Sequence, residues 1–300
     1  MSADQWHGVF PAITTPFTAD GDVDHVFLAG HARRLLASGS RGLVPLGSLG
    51  EGATLTTAEK LAVLRTCVQA VGDRIPVVAG ISALATTEAV ALAKSAAEAG
   101  CAGLMVLPPY VYKGDWAEMR HHVSSVISAT PLSCILYNNP IAYGTDFVPE
   151  QVRALCEHDN LHAVKESSGD VRRFTALRAL LRDRLALFVG MDDAVLEGIA
   201  MGATGWIAGL VNALPDESVL LFEHAMAGRH EEARALYEWF LPLLRLDTVP
   251  KFVQLIKLVQ EEVGLGSERV RAPRHVVAGA ERDMVLAVIR ERLASKPARV

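Results

Sequence analysis

The sequence predicts an α/β protein, a TIM (β/α)8 barrel with a C-terminal helical extension. Short apolar runs alternate with longer helical patterns, about 30 residues per unit. The runs are hydrophobic on both sides, as strands are when helices cover both faces of a parallel sheet. Eight of them precede residue 215, and eight units favour a closed barrel over an open sheet. The G-x-G-x-x-G turn that often follows the first strand of an open doubly wound sheet is not present there. A length of 300 residues with 50% hydrophobic content suits one barrel with additions, or two ordinary domains.

The predicted strands are, in order, residues 9–14, 42–46, 75–79, 103–107, 132–137, 161–165, 185–189 and 205–208. Helix signals lie between them. Thr56-Thr57-Ala58-Glu59 has capping-box spacing, in which hydroxyl and carboxylate each satisfy a free N–H. The alanine-rich stretch 87–99 stops at Gly100, a common residue after a helix end. Asp115 and Asp170 stand where an N-cap belongs. Pro149 suits a first helical position. From about Pro215 the strands stop, and 217–227, 231–244, 251–263 and 284–293 read as helices. No Pro/Gly/Ser linker intervenes. The expected division is a barrel over 1–215 and a helical region over 216–300, packed on the barrel or on a partner subunit.

Composition excludes several classes. The net charge is −5 with no basic stripe, against nucleic acid and anionic membrane surfaces as partners. No run reaches the roughly 18 apolar residues of a membrane span. Residues 1–21 lack a positive region followed by an apolar run, so no signal peptide is expected. Cys67, Cys101, Cys134 and Cys156 are isolated, as in a reduced, cytoplasmic protein without disulfides or a zinc framework. The histidines are scattered, and the one adjacent pair, His121-His122, reads as helical. Neither metal nor cofactor is expected.

Lys165 is the most informative residue. It ends the apolar run Leu161-His162-Ala163-Val164-Lys165. Lysine is almost never fully buried without a partner, and an ammonium in a low-dielectric site tends to lose its proton. A neutral lysine amine attacks carbonyls. The C-terminal ends of barrel strands are where catalysis sits. The alternative is a strand-end lysine whose stem is covered and whose head reaches water.

Two other strand ends bear on that choice. The second is followed by Gly47-Ser48-Leu49-Gly50-Glu51, which is either a simple turn or an anion cradle of backbone N–H groups with a hydroxyl. The fifth ends in Tyr137-Asn138-Asn139-Pro140, where the phenol could relay protons or be a core ring with a wet tip. In a barrel all three point into one bowl. Asp192-Asp193, at the seventh strand end, could bind a substrate hydroxyl or a cation; capping of the next helix is the favoured reading. Glu51 and Glu166 are candidates for a supporting role, and Asn212 for fixing the loop after the eighth strand.

Five motifs in order resemble the dihydrodipicolinate synthase / N-acetylneuraminate lyase family: Gly47-Ser48-Leu49-Gly50-Glu51, Tyr137-Asn138-Asn139-Pro140, Lys165-Glu166-Ser167-Ser168-Gly169-Asp170, Gly190-Met191-Asp192-Asp193 and Gly202-Ala203-Thr204-Gly205-Trp206-Ile207. The match runs over about residues 8–290. The resemblance implies a TIM barrel with C-terminal helices, assembled as a homotetramer. It implies that Lys165 forms a Schiff base with a 2-oxo acid and that Tyr137 shuttles protons. Ser48, with backbone N–H groups near Ser48 and Leu49 beside Gly47, would hold the carboxylate, and Ile207 would line the pocket floor. The iminium does the polarising, so no metal is required.

The departures from the pattern are informative. Ala142 stands where the synthase has an arginine for its second substrate, and a bidentate arginine clamp is hard to replace. Leu49 replaces one of the family's paired threonines, and Val111 the second tyrosine of its Tyr-Tyr pair; Tyr112 is the candidate substitute. These speak against lysine-pathway synthesis, and no polar set for a sugar tail speaks for sialic acid cleavage. Tyr137-Asn138-Asn139-Pro140, Lys165 through Phe174, and Trp239-Phe240-Leu241-Pro242-Leu243-Leu244 look like the bacterial 1-pyrroline-4-hydroxy-2-carboxylate deaminases, which dehydrate and deaminate a cyclic imino acid. The alternatives are a pyruvate-dependent aldolase of a 2-oxo sugar acid, a non-catalytic relative that binds a 2-oxo acid, and a metal-dependent or phosphate-binding barrel.

Overall fold

Runs that are apolar on both sides can be buried only in a sheet covered on both faces. A computed structural model describes residues 1–297 and shows that arrangement. Seven parallel strands are β1 (Gly8–Pro11), β2 (Val78–Ile81), β3 (Gly103–Val106), β4 (Ser133–Asn138), β5 (Leu161–Glu166), β6 (Ala186–Val189) and β7 (Gly205–Ala208). Their order is β1-β7-β6-β5-β4-β3-β2.

Residues 41–45 close the ring between β2 and β1. On one side Arg41 N donates to Val9 O (2.8 Å) and Val44 N to Pro11 O (2.8 Å). On the other, Leu43 N donates to Pro76 O (2.9 Å) and Val78 N to Leu43 O (2.8 Å). The predicted second strand is therefore present as an extended segment with one regular bridge, Leu43 to Val77. It is short because Pro45 has no N–H to continue the ladder and because Leu46 turns to φ +66°.

The helices are α1 (His25–Ala37), α2 (Thr57–Val71), α3 (Thr86–Glu98), α4 (Trp116–Ile127), α5 (Pro140–Tyr143), α6 (Pro149–Leu155), α7 (Arg172–Leu181), α8 (Val195–Ala200), α9 (Pro215–Met226), α10 (His230–Leu244), α11 (Phe252–Glu262) and α12 (Gly279–Ala294). The Thr56/Glu59 capping box forms as expected, and Asp115 caps α4 with Glu118. Asp170 lies one residue before the N-cap of α7, Val171, and its carboxylate accepts from Arg172 N at 3.1 Å. α9 packs against α8, α10 and β1. Among the described residues no helix is long and apolar enough to cross a membrane.

Aromatic rings fill the N-terminal half of the barrel interior. Trp6 stacks on Phe10 (centroids 5.8 Å), and Phe188 meets both edge-on at 5.7 and 5.3 Å. A Cβ at Gly205 would lie 2.3 Å from the Phe188 ring, so the strand needs glycine there. The solid plug leaves room for a cavity only at the C-terminal end.

The C-terminal helices reach that end through a buried ion pair. Lys257 on α11 donates to Glu51 Oε1 (2.6 Å), Thr15 O (2.8 Å) and Arg269 O (2.7 Å), using all three protons. Glu51 Oε2 accepts from Arg271 N at 3.1 Å. Both side chains are about fully buried, and Glu51 adopts φ +53°. Burial lowers the Lys257 pKa, opposed by Glu51. The pair fastens the glycine loop that ends at Glu51 to the first strand's exit and to α11. Removing Lys257 leaves the buried Glu51 only the partly exposed Arg274 at 3.6 Å as a counter-charge, and breaking such a pair costs up to about 3–5 kcal/mol. Lys257→Met is predicted to lower the unfolding free energy by about that much in a denaturant titration. The double variant Glu51→Gln/Lys257→Met loses less. A single variant as stable as the parent contradicts the reading.

Candidate active site

The exits of the strands enclose a cavity of about 400 Å³. Gly47, Ser48, Leu49, Tyr137, Lys165 and Ile207 all line it. Lys165 is the only cation among its lining residues and Asp247 the only acid.

Strand register sets the central pair. β4 and β5 are paired so that Tyr137 lies directly opposite Lys165. The Lys165 Nζ sits 4.2 Å from the Tyr137 ring centroid, a cation–π distance. Both residues are buried, at 6% and 5% exposure, which removes the reading of Lys165 as a lysine with its head in water. The Tyr137 hydroxyl accepts from Asn139 Nδ2 at 2.9 Å, leaving its own proton to donate elsewhere. Gly190, at the exit of β6, makes space for the lysine stem: a Cβ there would meet Lys165 Cε at 2.7 Å and Ser167 Oγ at 1.9 Å.

Alternation along the strand turns the next residues outward. Glu166 is buried on that side, held by Asn138 Nδ2 (3.0 Å) and Ser168 N (2.6 Å). Burial raises its pKa, which these bonds oppose. It braces the β4 and β5 exits and does not line the cavity.

A second cluster was not read from the sequence. The Ser48 Oγ is hydrogen-bonded to the Tyr143 hydroxyl. The Tyr143 ring stands edge-on to Tyr137 (5.8 Å) and tilted against Tyr110 (5.5 Å). The Tyr110 hydroxyl lies next in line, near those of Tyr143 and Ser82. Burial, then the neighbouring phenols, hold Tyr143 protonated well above the usual phenol range. Tyr112 does not fill the position left by Val111. Its hydroxyl donates to Glu118 (2.9 Å) and it is 56% exposed, while Val111 projects outward at φ +73°. Tyr143 instead reaches the site from the turn α5, whose N-cap Asn139 accepts from Ala142 N at 3.0 Å. The signal was Pro140 followed by Tyr143, three residues on and hence on one helical face.

Among the described residues no backbone carbonyl accepts from Ser48 N or Leu49 N. These N–H groups border the cavity beside the Ser48 hydroxyl, and an anion is their natural partner. Ile207 on β7 is buried and lines the cavity.

Asp192 does not cap the helix after it, contrary to expectation. It is fully buried and accepts from Trp206 Nε1 (3.0 Å), Gly209 N (3.0 Å) and Leu210 N (2.9 Å), clamping the β7 exit. Its partner Asp193 is half-buried, with Arg245 at 4.0 Å. Asn212 performs the loop-fixing expected of it. It donates to Ala12 O (2.9 Å) and Gly209 O (2.8 Å) and accepts from Thr14 N (3.2 Å). Asp247, in the 3-10 turn after α10, is a further residue that the sequence did not flag. The residue keeps some exposed surface, but its Oδ1 is sealed and unpartnered. Burial pushes Asp192 up to about 6, and burial with Asp192 nearby raises Asp247 well above the usual carboxylate range.

The chain is similar to known proteins over most of its length. The profile of the "Dihydrodipicolinate synthetase family" matches residues 5–292. A protein named 4-hydroxy-tetrahydrodipicolinate synthase from Haloarcula marismortui is 34% identical over 274 residues, 91% of this chain and 89% of that protein. One of the same name from Natronomonas pharaonis is 39% identical over 237 residues, covering 79% and 80%. A putative dihydrodipicolinate synthetase from Pseudomonas aeruginosa superposes with a TM-score of 0.90 at 32% identity, over 95% of this chain and 99% of that one. A prophage protein of the dihydrodipicolinic acid synthase family from E. coli K12, solved in complex with pyruvate, superposes with a TM-score of 0.90 at 25% identity, over 96% and 99%.

The two acids have a consequence for stability. Each has a folded-state pKa above its ordinary value of 3.8. Their contribution is therefore greatest below that value and is lost as pH rises through about 6 for Asp192 and beyond it for Asp247. Asp247→Asn removes one of the two titrating groups, and with it the penalty that grows as the unfolded chain ionises. The melting temperature of the variant should gain on that of the parent between pH 5 and pH 8, by several degrees on the order of a 1–2 kcal/mol difference. A pH-independent offset contradicts this.

Proposed function

This chain belongs to the dihydrodipicolinate synthetase family and is a lysine Schiff-base lyase, and we propose that Lys165 is the lysine and that a small 2-oxo acid or cyclic imino acid is its substrate. The observation that carries this is Lys165, buried as the only cation lining the cavity, opposite Tyr137 and beside free N–H groups. In this reading the amine adds to the substrate's C2 carbon, forming an iminium that draws electrons from C3. Tyr137 carries protons to and from the adduct. Ser48, with the N–H groups of Ser48 and Leu49, holds the single carboxylate; Gly47 and Ile207 shape the pocket around it. The Tyr110–Tyr143–Ser48 chain of hydroxyls supplies the proton path for which Val111 has no group.

The specific reaction the site favours is that of 1-pyrroline-4-hydroxy-2-carboxylate deaminase. Its balance is simple. The ring opens on Lys165, the 4-hydroxyl departs as water, and two waters then enter, one releasing ammonia and one freeing the lysine. The curated relatives are named as the lysine-pathway synthase, which is the second reading. Against it, Ile141 and Ala142 line the cavity where the resemblance requires an arginine. A homotetramer in the cytoplasm, the assembly usual in the family, belongs to the same proposal, as does chemistry that needs no metal.

Borohydride reduction with pyruvate, followed by peptide mapping, should place one adduct on Lys165, and Lys165→Arg should abolish it. The parent should release ammonia from the hydroxylated imino acid, unaffected by chelators. Tyr143→Phe should retain the pyruvate adduct and lose about 10- to 100-fold in turnover. Condensation of pyruvate with aspartate semialdehyde at a comparable rate would favour the synthase instead. No adduct on Lys165 with any 2-oxo acid would end the Schiff-base assignment.

A further inference from the structure

The C-terminal helical region delivers one ionisable group to the lining of the cavity, and nothing in the steps described above uses it. Asp247 lines the cavity from the turn between α10 and α11, together with Thr248, Val249, Pro250 and Phe252. Its Oδ1 is buried and bonded to nothing. The space for it is built: at Gly209 a Cβ would lie 2.1 Å from that oxygen, so the β7 exit is cut back to admit the carboxyl. A buried acid without a donor is costly as an anion and tolerable as a neutral carboxyl.

Its neighbour takes the charge. Asp192 collects the N–H groups of Trp206, Gly209 and Leu210, each of which favours an anion. Asp247 receives none, and the ionised neighbour raises its pKa further; Lys165 alone opposes the rise. Two adjacent carboxyls in unlike surroundings divide into one anion and one acid. A neutral carboxyl both donates and accepts, which matches an alcohol and not a carboxylate.

Resting on the assignment of Lys165 as the Schiff-base lysine, we propose that Asp247 binds the hydroxyl on the carbon two removed from the iminium carbon and gives it a proton as it leaves as water. After C3 loses its proton, the enamine pair forms the C3–C4 double bond. The C4–O bond breaks, its electrons going to oxygen, which takes the Asp247 proton. The carboxylate left behind regains a proton from water before the next turnover. A carbon–carbon cleavage would ask the opposite of the same group, because the hydroxyl must then lose its proton to a base. A resting acid at this position selects dehydration, so the substrate class is 4-hydroxylated 2-oxo or cyclic imino acids.

The test compares the parent with Asp247→Asn and Asp247→Ala, using pyruvate and the 4-hydroxylated cyclic imino acid as probes. Both variants should still form the pyruvate adduct at Lys165, since pyruvate has no hydroxyl for Asp247 to bind. Both should lose about 100-fold or more of ammonia release, the usual size of a general-acid effect. Borohydride quenching during turnover should then trap on Lys165 an adduct one water heavier than the dehydrated species. Asn, which donates a hydrogen bond but no proton, should preserve the KM better than Ala while kcat stays low in both. Ammonia release within about threefold of the parent overturns the role. So does a loss of pyruvate adduct in step with turnover, which marks a structural defect. Cleavage of 4-hydroxy-2-oxo acids to pyruvate by the parent, without dehydration, overturns it while leaving Lys165 in place. Absence of any Lys165 adduct in the parent overturns the underlying Schiff-base reading as well.

Discussion

Everything at this site depends on the parallel register of β4 and β5. Tyr137 faces Lys165 because the ladder pairs those two positions, and a slip of one residue in either strand would turn that strand's residue to the helix side and separate the pair. Barrel closure holds the register. The segment 41–45 bonds to β1 and to the residues leading into β2, so no edge remains at which the sheet can shift. The aromatic plug of Trp6, Phe10 and Phe188 then fills the lower interior, so within the barrel a lysine without an acidic partner has room only at the open upper end.

The C-terminal helices are part of the site. α11 carries Lys257, whose ion pair to Glu51 fixes the loop that presents Ser48. The turn before α11 carries Asp247. The barrel supplies the lysine and the phenol, while the extension sets the loop and adds an acid. Substrate differences between relatives with the same barrel can therefore arise in this extension without disturbing the strands.

Much of this was legible in the sequence. Doubly apolar runs and their spacing favour a parallel barrel, and the capping box at Thr56 and the N-cap residue Asp115 place two helix starts to the residue. Gly47, Ser48, Leu49, Tyr137, Lys165 and Ile207 come together in one cavity, because barrel strands aim their ends at a common bowl; Glu51, Glu166, Asp192 and Asp193, also marked at strand ends, do not line it. What was missed depends on geometry that local pattern does not encode. Tyr143 enters through one turn of helix set by Pro140, and Asp247 through a turn between helices more than eighty residues beyond Lys165. Asp192 has the look of a helix cap, yet tertiary donors on the β7 exit outcompete the nearby helix for it. The second strand was found, but its proline shortened the ladder to a single bridge.

The measurement that bears most directly on the central claim is a crystal structure of the enzyme reduced with borohydride in the presence of pyruvate. The account predicts continuous density from the Lys165 Nζ to the ligand's second carbon, its carboxylate against the N–H groups of Ser48 and Leu49, and the Tyr137 hydroxyl beside the new bond. A carboxylate seated elsewhere in the cavity, or a modified lysine other than Lys165, would contradict it.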